Sequence, residues 1–204
     1  MAIAKWYKID FHTHTPESHC FPDKNVTPKE WLQAAKDSGI NAVVVSDHNS
    51  VGWIGKIDQE KSAFEDKNFK VFYGIELCVS SNFTHFLIIF DDKMTVTEIE
   101  DAVVKYIGLD RKYWADTTVN VSEDKLKTLC TELDGKIFVI PAHFASNKGL
   151  GKSTENAINA KNSDLSMEQL LQLAKSSKNG AAFTALWSGS LKGYSSPSEA
   201  DLAL

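Results

Sequence analysis

Apolar and polar positions along this chain sort into short β-branched runs separated by amphipathic stretches. Residues 41–45 (NAVVV) and 136–140 (KIFVI) are almost wholly apolar, as in strands covered on both faces. Residues 6–11, 70–77 and 83–90 read as three further strands, the last two joined by a short turn around Ser81 and Asn82. Elsewhere the spacing is helical. Thr27-Pro28-Lys29-Glu30 opens a helix, with Thr27 as N-cap, Pro28 in the first turn and Glu30 completing a capping box. Trp31, Leu32, Ala34 and Ala35 give that helix an apolar side, and Gly39 stops it. Helical patterns also cover 96–107, 122–133 (stopped by Gly135) and about 166–176, with a last strand near 181–187. Strands alternating with helices predict βα units and a mainly parallel sheet, in one domain spanning 1–204.

The polar residues interrupting this pattern fall at strand ends, where barrels and open α/β sheets place their chemistry. His12 and His14 close the first strand, Asp47 and His48 follow the second, and Glu76 lies near the end of the third. His85 lies in the fourth and His143 follows the fifth. Residues i and i+2 of a strand share a face, so His12 and His14 can serve one ion. Taken singly, each has an ordinary structural explanation: a core histidine, a paired buried carboxylate, a helix cap, a turn. Together they place five of the six histidines and two acids at the ends of, or inside, apolar strands. Burying so many ionisable groups without a cation is costly. Imidazole with carboxylate suits zinc, manganese or iron rather than calcium.

Composition narrows the picture. The net charge of −5 argues against a broad basic face for duplex nucleic acid, while leaving room for a local basic loop. Cys20, Cys78 and Cys130 are far apart, odd in number and form no CxxC pair, which points to reduced thiols in a soluble cytoplasmic protein rather than a disulfide framework. No run reaches the length of a signal peptide core or a membrane span, so no membrane partner is expected.

DFHTHT at 10–15, VVVSDHNS at 43–50, GIEL at 74–77, the histidine of THFLIIF and PAH at 141–143 together resemble the PHP superfamily, the polymerase and histidinol phosphatase domains. The resemblance runs from about residue 6 to 144. It implies a distorted (β/α)7 TIM-like barrel with two or three divalent ions (zinc, manganese or iron) and a phosphoesterase activity, as in phosphatases and nucleases. Carried onto this chain, it implies that His12, His14 and Glu76 hold one ion, and that Glu76 bridges to a second held by His85 and His143. His48 contributes to a third, with His19 as its companion. Asp47, His48 and Glu76 are the implied catalytic groups, Asp47 either supporting the ligands or accepting a proton. HTPESHC and DHNS resemble more closely the TrlF-like proteins, in which such a domain precedes an AAA or SMC-like ATPase. Several of those fusions are associated with nucleic-acid processing or phage defence.

The family closes its site with a late Asp-x-His, and no histidine follows His143 here. The chain is therefore expected to be the N-terminal piece of a longer protein, lacking the last strand or strands. A metal-stabilised module without turnover, serving an ATPase, is the alternative to an enzyme. An amidohydrolase shares the HxH strand end, but DHN and GIE fit the PHP pattern better. SNKGLGKS at 146–153 nearly matches a P-loop, yet its follow-on is a poor helix start. A loop over the metals, with Lys148 or Lys152 reaching a substrate phosphate, competes there with a plain solvated basic loop.

Overall fold

The computed structural model describes residues 6–79, 84–115 and 119–143. The expectations at 146–153, 166–176 and 181–187, including Lys148 and Lys152, lie outside the described residues. Five strands, β1 (Ile9–Thr13), β2 (Ala42–Val45), β3 (Lys70–Val79), β4 (Thr84–Phe90) and β5 (Ile137–Pro141), form one sheet in the order of the chain. β1, β2 and β3 pair in parallel, whereas β4 is antiparallel to both neighbours. All strands except β4 therefore point one way. The mainly parallel expectation holds for strand direction and fails for the β3–β4–β5 pairings, because the short β3–β4 connection can only make a hairpin.

Side-chain alternation sends the helices to one face and the chemistry to the other. Val43 and Val45, then Val71, Tyr73, Ile75, Leu77 and Val79, then Phe86, Ile88 and Phe90 all join the hydrophobic core. The helices α1 (Pro28–Asp37), α2 (Ile54–Lys61), α3 (Val96–Ala102) and α4 (Glu123–Glu132) cover that side, contributing Trp31, Leu32, Ile54, Ile57, Ile99, Leu126 and Leu129. The intervening residues, Glu76 on β3 and His85 on β4, point the opposite way, as period two requires.

Local sequence explains the element ends. Thr27 caps α1 in a full capping box with Glu30, and Thr95 does the same for α3 with Glu98. Ser122 accepts from the Lys125 amide at the start of α4. Gly39, Gly108 and Gly135 follow helices with φ of +74°, +69° and +75°, the left-handed exit that glycine makes cheap. The pattern at 96–107 is not one uniform helix: after Ala102 it widens into a π-helical turn, Val103–Ile107. No helix among the described residues is long and apolar enough to cross a membrane.

Candidate metal centre

Glu76 is the hub. Its carboxylate is fully buried, three residues before the end of β3, and five imidazoles converge on it. Oε1 lies 2.6 Å from His85 Nδ1 and 3.1 Å from His143 Nε2. Oε2 lies 3.0 Å from His12 Nε2, 2.9 Å from His48 Nδ1 and 3.4 Å from His14 Nε2. The rings close a circle around it, His12 to His14, to His48, to His85, to His143 and back to His12, with successive centroids 4.5–5.6 Å apart.

Each strand delivers its histidine to the same rim. β1 ends at Thr13, so His12 sits next to its last residue and His14 just beyond; the pairing with β2 slips between Asp10 and Thr13. His48 follows β2 and forms an isolated bridge to Glu76, flanked by Glu76 N–H to Asp47 O (2.9 Å) and Asn49 N–H to Glu76 O (2.8 Å). β4 runs backwards, so its second residue, His85, reaches the rim where the other strands finish. Glu76 pairs with Leu87 and Cys78 with His85, which makes His85 the diagonal same-face neighbour of Glu76. His143 follows β5 in the left-handed region at φ +51°, a conformation a non-glycine residue adopts at a cost and one that recurs at functional sites.

Behind His14 and His48 stands a fully paired polar layer. Asp47, 1% exposed, accepts from the Thr15 amide (2.7 Å), the Thr15 hydroxyl (2.6 Å) and the Ser18 hydroxyl (2.7 Å). Ser18 Oγ, having given its proton to Asp47, has two lone pairs left. One accepts from the His48 amide at 3.0 Å, and the other faces His14 Nδ1 at 3.3 Å. That order of donors makes Nδ1 the protonated nitrogen of His14 and leaves its Nε2 lone pair turned toward Glu76. The Trp31 indole N–H holds the His14 carbonyl at 2.9 Å.

The electrostatics follow from this packing. Burial opposes ionisation of Glu76, but hydrogen bonds from His12, His48 and His85 outweigh it and hold the carboxyl well below the usual carboxylate range. Burial, with His48 beside it, pushes His14 down to about 4. Burial also lowers His143. Asp47 is raised by burial, against the hydrogen bonds of Thr15 and Ser18. His14 and His143 are thus held in the neutral form that offers a lone pair.

A divalent ion fits this donor set. A carboxylate has about four lone-pair sites, and five ring nitrogens crowd them, so hydrogen bonding alone does not account for all five. Ligand atoms bonded at roughly 2.1 Å to one ion stand about 3.0–3.4 Å apart, depending on geometry. Most of the nitrogen–oxygen separations here are of that size. The candidate ligands fall into three groups: His12, Glu76 and His143; His48, Glu76 and His85; His14, Cys20 and His48.

The structure therefore brings together His12, His14, His48, Glu76, His85 and His143. His19 is exposed and belongs to none of the three groups; the neighbouring Cys20 stands in its place beside His14 and His48. His12 and His14 face the same Glu76 oxygen at 3.0 and 3.4 Å, and His14 also groups with Cys20 and His48. Asp47 faces Thr15 and Ser18 and is in no ligand group. Sequence reasoning missed Cys20, Thr15 and Ser18. Spacing after an HxH pair cannot choose between adjacent residues in a loop, and a hydroxyl layer has no periodicity.

An α/β domain that gathers five imidazoles and a buried carboxylate at one sheet rim is a metal-binding domain. The chain belongs to the PHP domain family, whose model matches residues 10–180. Among solved structures, a candidate metal-dependent phosphoesterase from Bifidobacterium adolescentis is similar at 14% identity, over 82% of each chain, with a TM-score of 0.45. No curated protein matches.

Proposed function

We propose that this chain is a metal-dependent phosphoesterase whose multinuclear centre is built on Glu76, in a distorted (β/α)7 barrel of which the five described strands are a part. The observation that carries this reading is the closed ring of five imidazoles around one buried carboxylate. Divalent ions held there supply Lewis acidity toward a phosphoryl oxygen and a water of lowered pKa.

The chain's own residues do the rest. Glu76 offers one oxygen to the His85 and His143 side and the other to the His12, His14 and His48 side, which suits it to bridge. His48 belongs to two ligand groups, and the one lone pair of its neutral ring would serve an ion in one of them at a time. Asp47 acts as a positioning residue: both its oxygens are engaged, and through Ser18 it sets the tautomer of His14.

Hydrolysis of bis(p-nitrophenyl) phosphate and p-nitrophenyl phosphate by the full chain, with Mn²⁺ or Zn²⁺, tests the proposal. Replacing His12 and His14 with Ala is expected to abolish turnover, and the preferred ester separates a diesterase from a monoesterase. Undiminished hydrolysis in the folded double variant contradicts the assignment. Bound metal without hydrolysis of either ester favours the non-catalytic module instead.

A further inference from the structure

We propose that the Cys20 thiolate is a metal ligand, so that the ion shared with His14 and His48 sits in a sulfur-containing position distinct in chemistry from the two around Glu76. This rests on reading the histidine ring as a metal centre and specifies one of its positions. The ligand atoms of His14, Cys20 and His48 lie within 4.8 Å of one another, while the other two groups contain only nitrogen and carboxylate oxygen. His14 and His48 stack with centroids 4.5 Å apart and planes 21° from parallel, which presents their nitrogens side by side.

The loop carrying Cys20 is tied in place. Ser18 N–H bonds to Thr15 O at 3.0 Å and Phe21 N–H to Ser18 O at 3.0 Å, two consecutive turns of which the second contains Cys20. The Ser18 hydroxyl is anchored on Asp47, and the Lys24 ammonium bonds the Pro16 carbonyl at 3.0 Å and the Ser18 carbonyl. Asp47, through Ser18, thereby positions the loop, His14 and the His48 backbone together. Cys20 is exposed, so this ion faces the solvent side of the centre. Cys78 and Cys130 belong to no ligand group.

One thiolate with two imidazoles is a softer donor set than imidazole with carboxylate. It selects Zn²⁺, Co²⁺ or Fe²⁺ over Mn²⁺ and Mg²⁺. The Glu76 groups lack that bias, so a single centre would hold ions of two preferences. Binding displaces the thiol proton, and affinity at this position rises with pH.

Cobalt spectroscopy of the full chain tests this without reference to turnover. The Co²⁺-loaded protein is expected to show a near-ultraviolet thiolate-to-cobalt charge-transfer band together with visible ligand-field bands. Cys20→Ser and Cys20→Ala should lose the charge-transfer band and keep ligand-field absorption from the Glu76 groups, whereas Cys78→Ala and Cys130→Ser should keep both. Zn²⁺ affinity at this position should fall about tenfold or more in Cys20→Ser, by comparison with what losing even a supporting partner costs. Circular dichroism separates loss of the ligand from loss of the fold, and the Ala and Ser variants provide two chances to retain it. Ligand-field bands without a charge-transfer band in the parent protein overturn the thiolate proposal and leave the metal centre standing. Survival of the charge-transfer band in Cys20→Ser overturns it equally. Failure of the folded parent protein to take up any Co²⁺ overturns both.

Discussion

A single residue, Glu76, decides how the histidines of this chain behave. With its carboxylate ionised and buried, every approaching imidazole gains from facing it, and none can turn to water without leaving a buried charge exposed to apolar neighbours. The pH response of the metal-free chain follows from its histidines. His14 is pushed down to about 4, whereas an unfolded chain protonates it near 6.5. Between those values the unfolded state binds more protons, so stability falls as the pH drops from about 6.5 toward 4. His143 is displaced in the same direction and adds to the slope. Urea midpoints of chelator-treated protein, measured from pH 7.5 to 4.5, are expected to decline through this window, and His14→Gln should flatten the decline. The hydroxyl of Ser18 offers a second test. Ser18→Ala removes the acceptor for His14 Nδ1 and the His48 amide and leaves Asp47 short of a donor. A cost of about 1–3 kcal/mol is expected for the unpaired groups. Metal affinity should weaken about 10–100-fold, measured by competition with a chromophoric chelator.

At the scale of elements, the site depends on β3 and β4 lying close and in register. Gly74 is the point of closest approach: a Cβ there would stand 2.7 Å from the Ile88 carbonyl oxygen and 3.0 Å from Val44 Cγ1. Gly74→Ala must push β3 away from a backbone atom two residues before Glu76, and overpacking of this kind costs about 1–3 kcal/mol. Thermal unfolding should show a lower midpoint and metal titration a weaker site, since Glu76 moves with the strand. What the sequence made legible belongs to this scale. The apolar runs of β2 and β5 and the capping box of α1 carry their own signals and appear at the expected places, within a few residues. β1 starts three residues later than the apolar pattern suggested, and Trp6 and Tyr7, ahead of it, are exposed. Helix α2 carries no such signal: it is eight residues long, its capping position is Trp53 without a side-chain cap, and only Ile54 and Ile57 are buried. The site residues within strand ends were readable because strands aim them. Cys20 was not, because it lies in a loop whose path is set by Asp47, 29 residues from Ser18, and by the nearby Lys24.

For the molecule as a whole, the sheet has a helix-covered face and a face that carries the ionisable cluster, and on the proposed function cations would convert the second from a liability into a stabilising element. A ligand that binds only the folded state at 100 times its Kd adds about 2.7 kcal/mol. For a chain of this size that corresponds to a rise of roughly 5–10 °C in Tm. Chelation is expected to lower the Tm by that order, and Zn²⁺ to restore it. PHP family membership sets the same expectation, since the matched region, 10–180, contains every residue of the cluster. The most direct measurement is the metal content of the full chain, stripped with chelator, reloaded with Zn²⁺ or Mn²⁺, and compared with Glu76→Gln treated identically. The parent protein should retain metal through gel filtration, and Glu76→Gln, folded by circular dichroism, should lose most of it. Equal metal content in the two proteins, or none in the folded parent, would contradict a centre built on Glu76.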